Sequence, residues 1–245
     1  MRFVLPLLLS LGLPFAAARA ECPAPPAGAK LPSSMDATEQ LPIAWLVNHY
    51  SLNVRLKQAS PSVVFLGDSI TEGWAADPTW PAARDKYNAM GLGIGYDRTQ
   101  NVLWRIRNGH FTYARPKLAV LLIGTNNIAN GDTPESAAWG VGAVLRALRE
   151  ASPNTRVVLL GLLPRGEKPD DGLRQAAAAT NRLLAACADD KTVFFRDIGA
   201  AFLDPAGRLS PEVSPDFLHL SRKGYAVFTA QVEPILREFA GGKSN

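Results

Sequence analysis

Four short, continuously apolar runs alternate along the chain with longer amphipathic stretches. The runs cover residues 63–66, 118–123, 157–163 and 193–195. Strands that are covered on both faces have this continuous apolar character, whereas half-exposed strands alternate apolar and polar positions. The pattern therefore predicts a parallel sheet whose strands are joined by right-handed crossovers through the intervening helices.

The amphipathic stretches predict the helices of these crossovers. Residues 42–58 place their large side chains on one stripe, and three later segments repeat the spacing of one helical face. These positions are Trp45, His49, Leu52 and Leu56, then Val141, Val144, Leu145 and Leu148, then Leu183, Leu184 and Cys187, and last Tyr225, Phe228, Val232, Leu236 and Phe239. Thr133 with Pro134, and Ser221, are predicted helix starts.

Polar residues with catalytic potential lie in the loops of this pattern. Ser69 follows the first predicted strand, and Asn126 follows the second. Asp216 and His219 precede the last predicted helix in a segment rich in proline and serine. In a parallel α/β sheet, functional residues gather in loops at the carboxyl ends of the strands. The placement predicts a shared site.

The residue types in these loops indicate nucleophilic catalysis. Gly67-Asp68-Ser69-Ile70 closes the first apolar run, and Asp216-Phe217-Leu218-His219 sets a carboxylate three residues before an imidazole. A serine hydroxyl becomes a good nucleophile when an imidazole takes its proton and a third group orients that imidazole. The sequence thus predicts a hydrolase with a serine nucleophile, although a serine after a strand is also typical of a helix cap.

The N-terminus resembles a secretory signal peptide over residues 1–20. Arg2 precedes an apolar stretch over residues 3–13, and Ala18-Arg19-Ala20 has the small-x-small form of a cleavage site. The stretch is shorter than the roughly 20 apolar residues of a membrane span, and it contains Pro6 and is followed by Pro14. We expect export to the periplasm or the medium, and no integral membrane segment after cleavage.

The rest of the chain has the composition of one globular unit. Of 245 residues, 47% are hydrophobic, which together with the chain length predicts a single domain, over residues 42–245. Residues 21–41 are rich in proline and alanine, which predicts a loosely packed lead-in to that domain. Removal of the signal takes Arg2 and Arg19 and no acid, so the formal net charge falls from +4 to +2. This balance, without basic runs, gives no basis for nucleic-acid binding.

Cysteine and glycine patterns bear on disulfides, metals and cofactors. Cys22 and Cys187 are the two cysteines, and the sequence leaves open whether they form a disulfide or stay as two buried thiols. Neither has the spacing of a metal site, and no HExxH occurs. The glycine-rich residues 91–95 lack the GxGxxG spacing of a dinucleotide site. We expect neither a metal nor a cofactor.

Five ordered motifs resemble the SGNH or GDSL-type hydrolases, and within them the platelet-activating-factor acetylhydrolase Ib catalytic subunit and its bacterial relatives. The motifs are Gly67-Asp68-Ser69, Gly93-Ile94-Gly95 with Asn101-Val102-Leu103-Trp104-Arg105, Gly124-Thr125-Asn126-Asn127, residues 161–169, and Asp216-Phe217-Leu218-His219-Leu220. The resemblance implies a three-layer α/β/α sandwich with a flavodoxin-like parallel sheet.

The resemblance also assigns roles. Ser69 matches the nucleophile, His219 the general base and Asp216 the residue that orients the base. Asn126 matches a side-chain oxyanion donor that acts with the backbone N–H of Ser69. Where the family commonly has a second glycine, whose N–H is the third donor, this chain has Tyr96. We expect the backbone N–H of Tyr96 to remain an oxyanion donor and its side chain to affect which acyl or leaving groups fit. The alternatives are a loop turned so that this amide is lost, and a side chain that packs in the core.

Neighbouring residues receive weaker assignments. Gly95 is a possible further member of the oxyanion hole. Asp68 and Asn127 are interpreted as hydrogen-bonding residues that stabilise their turns. Asp97, with Gln100 three residues on, resembles a capping box and is interpreted as a helix cap.

The implied activity is hydrolysis of short-acyl, above all acetyl, carboxylic esters without a cofactor. Predicted export favours a carbohydrate O-acetylesterase, acting on a glycan or another small ester. A lipid or aryl esterase, an acyltransferase and a non-catalytic glycan-binding relative remain alternatives. The sequence leaves open whether the protein is a monomer or a homodimer.

Overall fold

A computed structural model describes residues 22–112 and 114–241. The predicted signal peptide, residues 1–20, lies outside these residues. Within the described ranges, no helix combines the length and the apolar character that a membrane crossing requires.

Eight α-helices and five strands make up most of the described chain. The helices are α1 (Ile43–Ala59), α2 (Ser69–Ala76), α3 (Trp80–Tyr87), α4 (Thr99–Arg105), α5 (Thr125–Ala129), α6 (Pro134–Ala151), α7 (Gly172–Leu184) and α8 (Arg222–Ala240). The strands are β1 (Val63–Gly67), β2 (Ala89–Gly93), β3 (Leu118–Leu122), β4 (Arg156–Leu160) and β5 (Val193–Arg196). Short 3₁₀ helices cover Ser33–Met35, Ala185–Cys187 and Gly199–Phe202, and a π-helical turn covers Ile106–His110.

The strands form one parallel sheet in the order β2-β1-β3-β4-β5. This confirms the predicted parallel sheet and the four predicted strands, with ends that differ by up to three residues. The side chains of β1 alternate between two hydrophobic clusters, one packed with α1, α4 and α6 and the other with α2, α3 and α8. The architecture is therefore the expected three-layer α/β/α sandwich.

Strand β2 lies outside the four predicted apolar runs. Its sequence contains Gly91 and Gly93, and glycine is disfavoured in strands because it has high backbone entropy and no side chain to pack. The close approach of α2 explains both glycines. A Cβ atom at Gly93 would lie 2.2 Å from the backbone nitrogen of Glu72, and one at Gly91 would lie 2.7 Å from the Cβ of Ala75.

The predicted helix starts are confirmed at two places and wrong at a third. The side chains of Thr133 and Ser221 accept backbone N–H bonds at the starts of α6 and α8. Asp97 does not cap a helix. The residue before α4 is Arg98, whose backbone N–H donates to the side chain of Asn101. The Asp97 carboxylate instead points into the core.

The lead-in is fastened to the body of the protein. Cys22 and Cys187 form a disulfide, which decides between the two alternatives that the sequence left open. Ser34 is fully buried and donates to the carbonyl of Ser136 at 2.7 Å. These contacts anchor the lead-in at two points, while most of its other residues are exposed or half-buried.

Candidate active site

Ser69 lies at the point where β1 turns sharply into α2. The side chain of Asp68 caps α2 by accepting the N–H of Ile70 at 3.0 Å, as its interpretation as a turn-stabilising residue predicted. Gly67 makes the turn possible, because a Cβ there would lie 2.4 Å from a carbonyl oxygen of β3. Ser69 is therefore held at the carboxyl end of the sheet, where the loops converge.

His219 and Asp216 face Ser69 from the segment before α8. The Oγ of Ser69 lies 3.0 Å from Nε2 of His219, and Nδ1 of His219 lies 2.7 Å from Oδ2 of Asp216. The other carboxylate oxygen of Asp216 accepts the backbone N–H groups of Leu218 and His219. Partial burial opposes ionisation of Asp216, but these hydrogen bonds outweigh it and lower the pKa of Asp216.

Two contacts fix the backbone between Asp216 and His219. Ser214, which is fully buried, donates its hydroxyl to the carbonyl of His219 at 2.9 Å. Phe217 has a left-handed backbone with φ of 57°, and its carbonyl accepts the N–H of Gly166 at 2.9 Å. One function of the motif over residues 161–169 is thus to hold the turn that carries the imidazole.

The loop after β3 brings Asn126 to the same edge. One N–H of its side chain donates to the carbonyl of Asp97 at 2.9 Å, and a side-chain amide has a second N–H to offer. Arg165 fastens the loop by donating to the carbonyl and the hydroxyl of Thr125. Asn127 is buried and hydrogen-bonds Thr99 and Asp132, which fits its interpretation as a turn-stabilising residue.

Tyr96 lies in a loop that follows β2. Its backbone is left-handed, with φ of 62°, and its side chain is 84% exposed. The alternative of a core aromatic is therefore wrong. The N–H of Gly95 donates to Oε2 of Glu72 at 3.0 Å, so this amide is engaged inside the loop. The N–H of Asp97 closes the turn onto the carbonyl of Ile94.

A buried polar cluster, which sequence analysis did not foresee, lies beneath this loop. The Asp97 carboxylate lies 2.8 Å from the guanidinium of Arg105, and both side chains are fully buried. Trp45 and Gln40 each donate to Oδ1 of Asp97 at 2.7 Å. Burial raises the pKa of Asp97, and the Arg105 charge and these two donors oppose that rise.

Of this cluster, only Arg105 lies in a motif that carried the resemblance, and Asp97 was interpreted as a helix cap. Gln40, Trp45 and Glu72 carried no local signal for a role at the site. Each joins the site through tertiary contacts from a different segment. Among the residues that the structure describes, no three histidine, cysteine, aspartate or glutamate side chains are arranged to hold a metal ion.

The arrangement has the chemical requirements of acyl transfer. A serine hydroxyl beside an imidazole, with a carboxylate on the far nitrogen, can lose its proton as it attacks an electrophilic carbon. Three potential N–H donors belong to the segments that follow β1, β2 and β3 at the carboxyl ends of these strands: the backbones of Ser69 and Tyr96 and the side chain of Asn126. Charge that develops on one oxygen in a tetrahedral intermediate needs donors of this kind.

Comparison with known proteins identifies relatives over most of the chain. Platelet-activating factor acetylhydrolase IB subunit alpha1 of Bos taurus is 38% identical over 182 residues, which cover 74% of this chain and 77% of the relative. Subunit alpha2 of the same enzyme from Rattus norvegicus is 37% identical over 183 residues, which cover 74% and 79%.

Solved structures share the fold at lower identity. A GDSL-like lipase from Bacteroides thetaiotaomicron superposes with a TM-score of 0.61 and 21% identity, over 78% of this chain and 97% of the other. An acetylxylan esterase from Geobacillus stearothermophilus superposes with a TM-score of 0.55 and 18% identity, over 72% and 93%. The model of the GDSL-like Lipase/Acylhydrolase family matches residues 65–227. This chain therefore belongs to the GDSL-like Lipase/Acylhydrolase family and is an ester-hydrolysing enzyme.

Proposed function

We propose that this protein is an exported serine esterase that removes short acyl groups, above all acetyl, from O-acetylated carbohydrates. The observation that carries the catalytic assignment is the continuous contact from Ser69 through His219 to Asp216, at 3.0 and 2.7 Å. Ser69 is the nucleophile, His219 is the general base and Asp216 orients the imidazole.

Catalysis proceeds in two half-reactions. The Oγ of Ser69 attacks the ester carbonyl carbon as Nε2 of His219 takes the hydroxyl proton. The tetrahedral intermediate collapses, the bond to the leaving alcohol breaks, and His219 gives that alcohol the proton. Water then attacks the acyl-serine with His219 again as base, which releases the carboxylic acid and restores the Ser69 hydroxyl.

The negative charge of each intermediate is stabilised by the N–H groups of Ser69 and Tyr96 and by the side chain of Asn126. Because φ of Tyr96 is 62°, its backbone has a left-handed conformation of the kind that glycine adopts readily. This supports the view that replacing the glycine common in the family by tyrosine leaves the third donor in use. Loss of one such donor costs roughly 100- to 1000-fold in rate in a well-studied protease.

Two features support an acetylated carbohydrate as the substrate. The side chains of Asp216 and His219 are 55% and 49% exposed, so an ester on a bulky carrier can reach the nucleophile. Tyr96, on the rim of the oxyanion loop, presents an exposed aromatic ring, and rings that are apolar on the face and polar at the tip suit partly wet binding surfaces. In addition, the names of two similar proteins, an acetylhydrolase and an acetylxylan esterase, both refer to acetyl groups.

Export is supported by two independent features. The predicted signal peptide precedes the described residues, and the disulfide between Cys22 and Cys187 is of a kind that persists in oxidising compartments. A sugar polymer of a cell envelope or plant wall is accessible from such a compartment.

The proposal is tested with purified enzyme, Ser69→Ala, His219→Ala and the double variant. Substrates are p-nitrophenyl esters of increasing acyl length, acetylated xylo-oligosaccharides and an acetylated ether phospholipid. Each single variant is expected to lose more than about 1000-fold in kcat, and the double variant little more, because the two residues act as one unit. Multiplicative losses would refute the shared mechanism.

Substrate preference is tested independently of the catalytic residues by comparing kcat/KM among these esters. We expect the highest kcat/KM on acetylated oligosaccharides and a steep decline beyond short acyl chains. Tyr96→Ala is expected to raise KM for the oligosaccharide more than for p-nitrophenyl acetate. A preference for the phospholipid would leave the catalytic assignment standing and overturn the carbohydrate assignment.

A further inference from the structure

Tyr96 has a backbone conformation that its side chain disfavours. A non-glycine residue with φ of 62° brings its Cβ close to a backbone carbonyl, so the conformation persists only where surrounding contacts impose it. The side chain of Tyr96 supplies little of that support, because it is 84% exposed. The support must come from the residues on either side.

The side chain of Gln40 donates hydrogen bonds to both neighbours of Tyr96. Nε2 of Gln40 donates to the carbonyl of Gly95 at 3.2 Å and to Oδ1 of Asp97 at 2.7 Å. The Gln40 amide therefore spans Tyr96 and ties the residue before it to the residue after it. Gln40 belongs to the lead-in and lies outside residues 65–227, the segment that the family model matches.

Asp97, one of the two residues that Gln40 contacts, is itself held by buried contacts. Asp97 is fully buried, receives a second N–H from Trp45 at 2.7 Å and lies 2.8 Å from the Arg105 guanidinium. The carbonyl of Asp97 also accepts the side chain of Asn126. The short segment that Gln40 holds thus carries one proposed oxyanion donor, Tyr96 N–H, and orients another, Asn126 Nδ2.

The Gln40 side chain can be changed without releasing the lead-in. The N–H of Thr38 donates to the carbonyl of Gln100 at 3.2 Å, and Asn101 donates to the carbonyl of Thr38 at 2.8 Å. Ser34 adds a buried hydrogen bond to the start of α6. These contacts hold the backbone on the N-terminal side of Gln40 in place.

We propose that Gln40 is a positioning residue for the oxyanion hole: by fastening Gly95 and Asp97 it keeps Tyr96 left-handed, and so keeps the donors of Tyr96 and Asn126 aimed at the developing charge. This role rests on the proposed function of those two donors. It acts on the transition state and not on ground-state substrate binding, so it affects kcat more than KM.

The test uses Gln40→Met, which keeps the length of the side chain and removes its N–H donors. Glu39→Gln, on the exposed neighbouring residue, is the matched control. With p-nitrophenyl acetate, Gln40→Met is expected to lower kcat about 10- to 100-fold and to change KM less than about threefold, while Glu39→Gln changes neither. Thermal unfolding of both variants sets an assay temperature at which each is folded, and Gln40→Ala provides a second variant.

The same substitution in a Tyr96→Gly background separates positioning from a general structural role. Glycine adopts a left-handed backbone without steric cost, so in this background the loop no longer depends on the hydrogen bonds from Gln40. Gln40→Met is then expected to cost less than about threefold in kcat relative to Tyr96→Gly alone. An equal loss in both backgrounds, an effect on KM alone, or no loss in the Tyr96 background would overturn the role of Gln40.

Failure of this inference is distinguishable from failure of the proposed function. If Ser69→Ala abolishes hydrolysis and Gln40→Met does not slow it, only the positioning role is lost. If Ser69→Ala retains hydrolysis, the catalytic assignment fails first, and the positioning role falls with it.

Discussion

At the scale of single residues, the candidate site is framed by two aromatic residues with left-handed backbones. Tyr96 and Phe217 have φ values of 62° and 57°. A left-handed conformation costs such residues roughly 1–2 kcal/mol each, and strained residues of this kind gather at functional sites. In both places the residues beside the aromatic residue are hydrogen-bonded, and these hydrogen bonds compensate for the cost of the left-handed backbone.

A third residue, Asp68, combines capping with an unusual charge state. Its carboxyl group is almost fully buried directly before Ser69, and its Oδ2 atom has no hydrogen-bond partner among the residues that the structure describes. Burial raises the pKa of Asp68 to about 7, against the hydrogen bond from Ile70 and with the help of the nearby Asp97 carboxylate. The group therefore changes charge in the neutral pH range.

The raised pKa predicts a stability that depends on pH. Between the unfolded value of about 3.9 and the folded value of about 7, the native Asp68 holds a proton that the unfolded chain has lost. The free energy of unfolding therefore falls as pH rises through this window, and the stabilisation that is complete below pH ~4 is lost above pH ~7. Asp68→Asn keeps the acceptor for Ile70 and cannot ionise.

Urea unfolding of wild type and Asp68→Asn at pH 5, 6, 7 and 8 measures this effect. We expect the free energy of unfolding of wild type, relative to the variant, to decline by roughly 2–4 kcal/mol across the series, and to level off above the folded pKa. Subtraction of the variant removes the contributions of groups that both proteins share. Parallel stability curves would contradict the raised pKa.

At the scale of elements, the sequence pattern predicted the strands that are rich in large apolar residues. It did not predict the strand whose residues must be small because a helix lies close to it. The runs that became β1, β3, β4 and β5 are apolar because helices cover them on both sides. Strand β2 lacks this signal, since Gly91 and Gly93 are dictated by the proximity of α2, which lies elsewhere in the chain. Asp97 misled for a similar reason, because its partner Arg105 is recognisable only in three dimensions.

The fit between β2 and α2 predicts the effect of one added methyl group. In Gly93→Ala the new Cβ would lie 2.2 Å from the backbone nitrogen of Glu72 and 2.7 Å from the carbonyl oxygen of Asp68. Backbone atoms cannot rotate away, so the first turn of α2 must shift together with Ser69. We expect a loss of roughly 1–3 kcal/mol in stability and of more than about tenfold in kcat.

Gly172→Ala is the matched control for this substitution. Gly172 is the first residue of α7, and apart from its chain neighbours and the backbone of its own helix turn, no heavy atom of the described residues lies within 4 Å of its new Cβ. Its stability is expected to stay within about 0.5 kcal/mol of wild type and its kcat to be unchanged. Thermal unfolding and p-nitrophenyl acetate hydrolysis compare the pair. A Gly93→Ala enzyme as stable and active as the control would mean that α2 has more room than its contacts indicate.

At the scale of the whole molecule, the site joins segments that are far apart in the chain. Motifs predicted Ser69, Asn126, Asp216 and His219 as candidate site residues, because their residue types and order are typical of one chemistry. The side chains that support them, such as Gln40 and Glu72, carry no such signal, since the sequence around a glutamine or a glutamate does not reveal whether its side chain contacts a loop from another part of the chain. Only the folded chain reveals these contacts.

The disulfide between Cys22 and Cys187 joins the lead-in to the short 3₁₀ helix that follows α7, across 165 residues. Closing so long a loop restricts the unfolded chain, so the double variant Cys22→Ser/Cys187→Ser is expected to lose about 2–4 kcal/mol in the free energy of unfolding. Its kcat below the unfolding transition should stay within about twofold of wild type, because Ser34, Thr38 and Gln40 still hold the lead-in in place.

Urea unfolding measures the stability of this double variant, and ester hydrolysis measures its kcat. Reduced wild type is the control, and thiol titration after denaturation should find two thiols in it and none in the oxidised protein. If dithiothreitol destabilises the double variant as much as wild type, the effect does not come from this bond, and if stability holds while kcat collapses, the disulfide serves the active site instead of the fold.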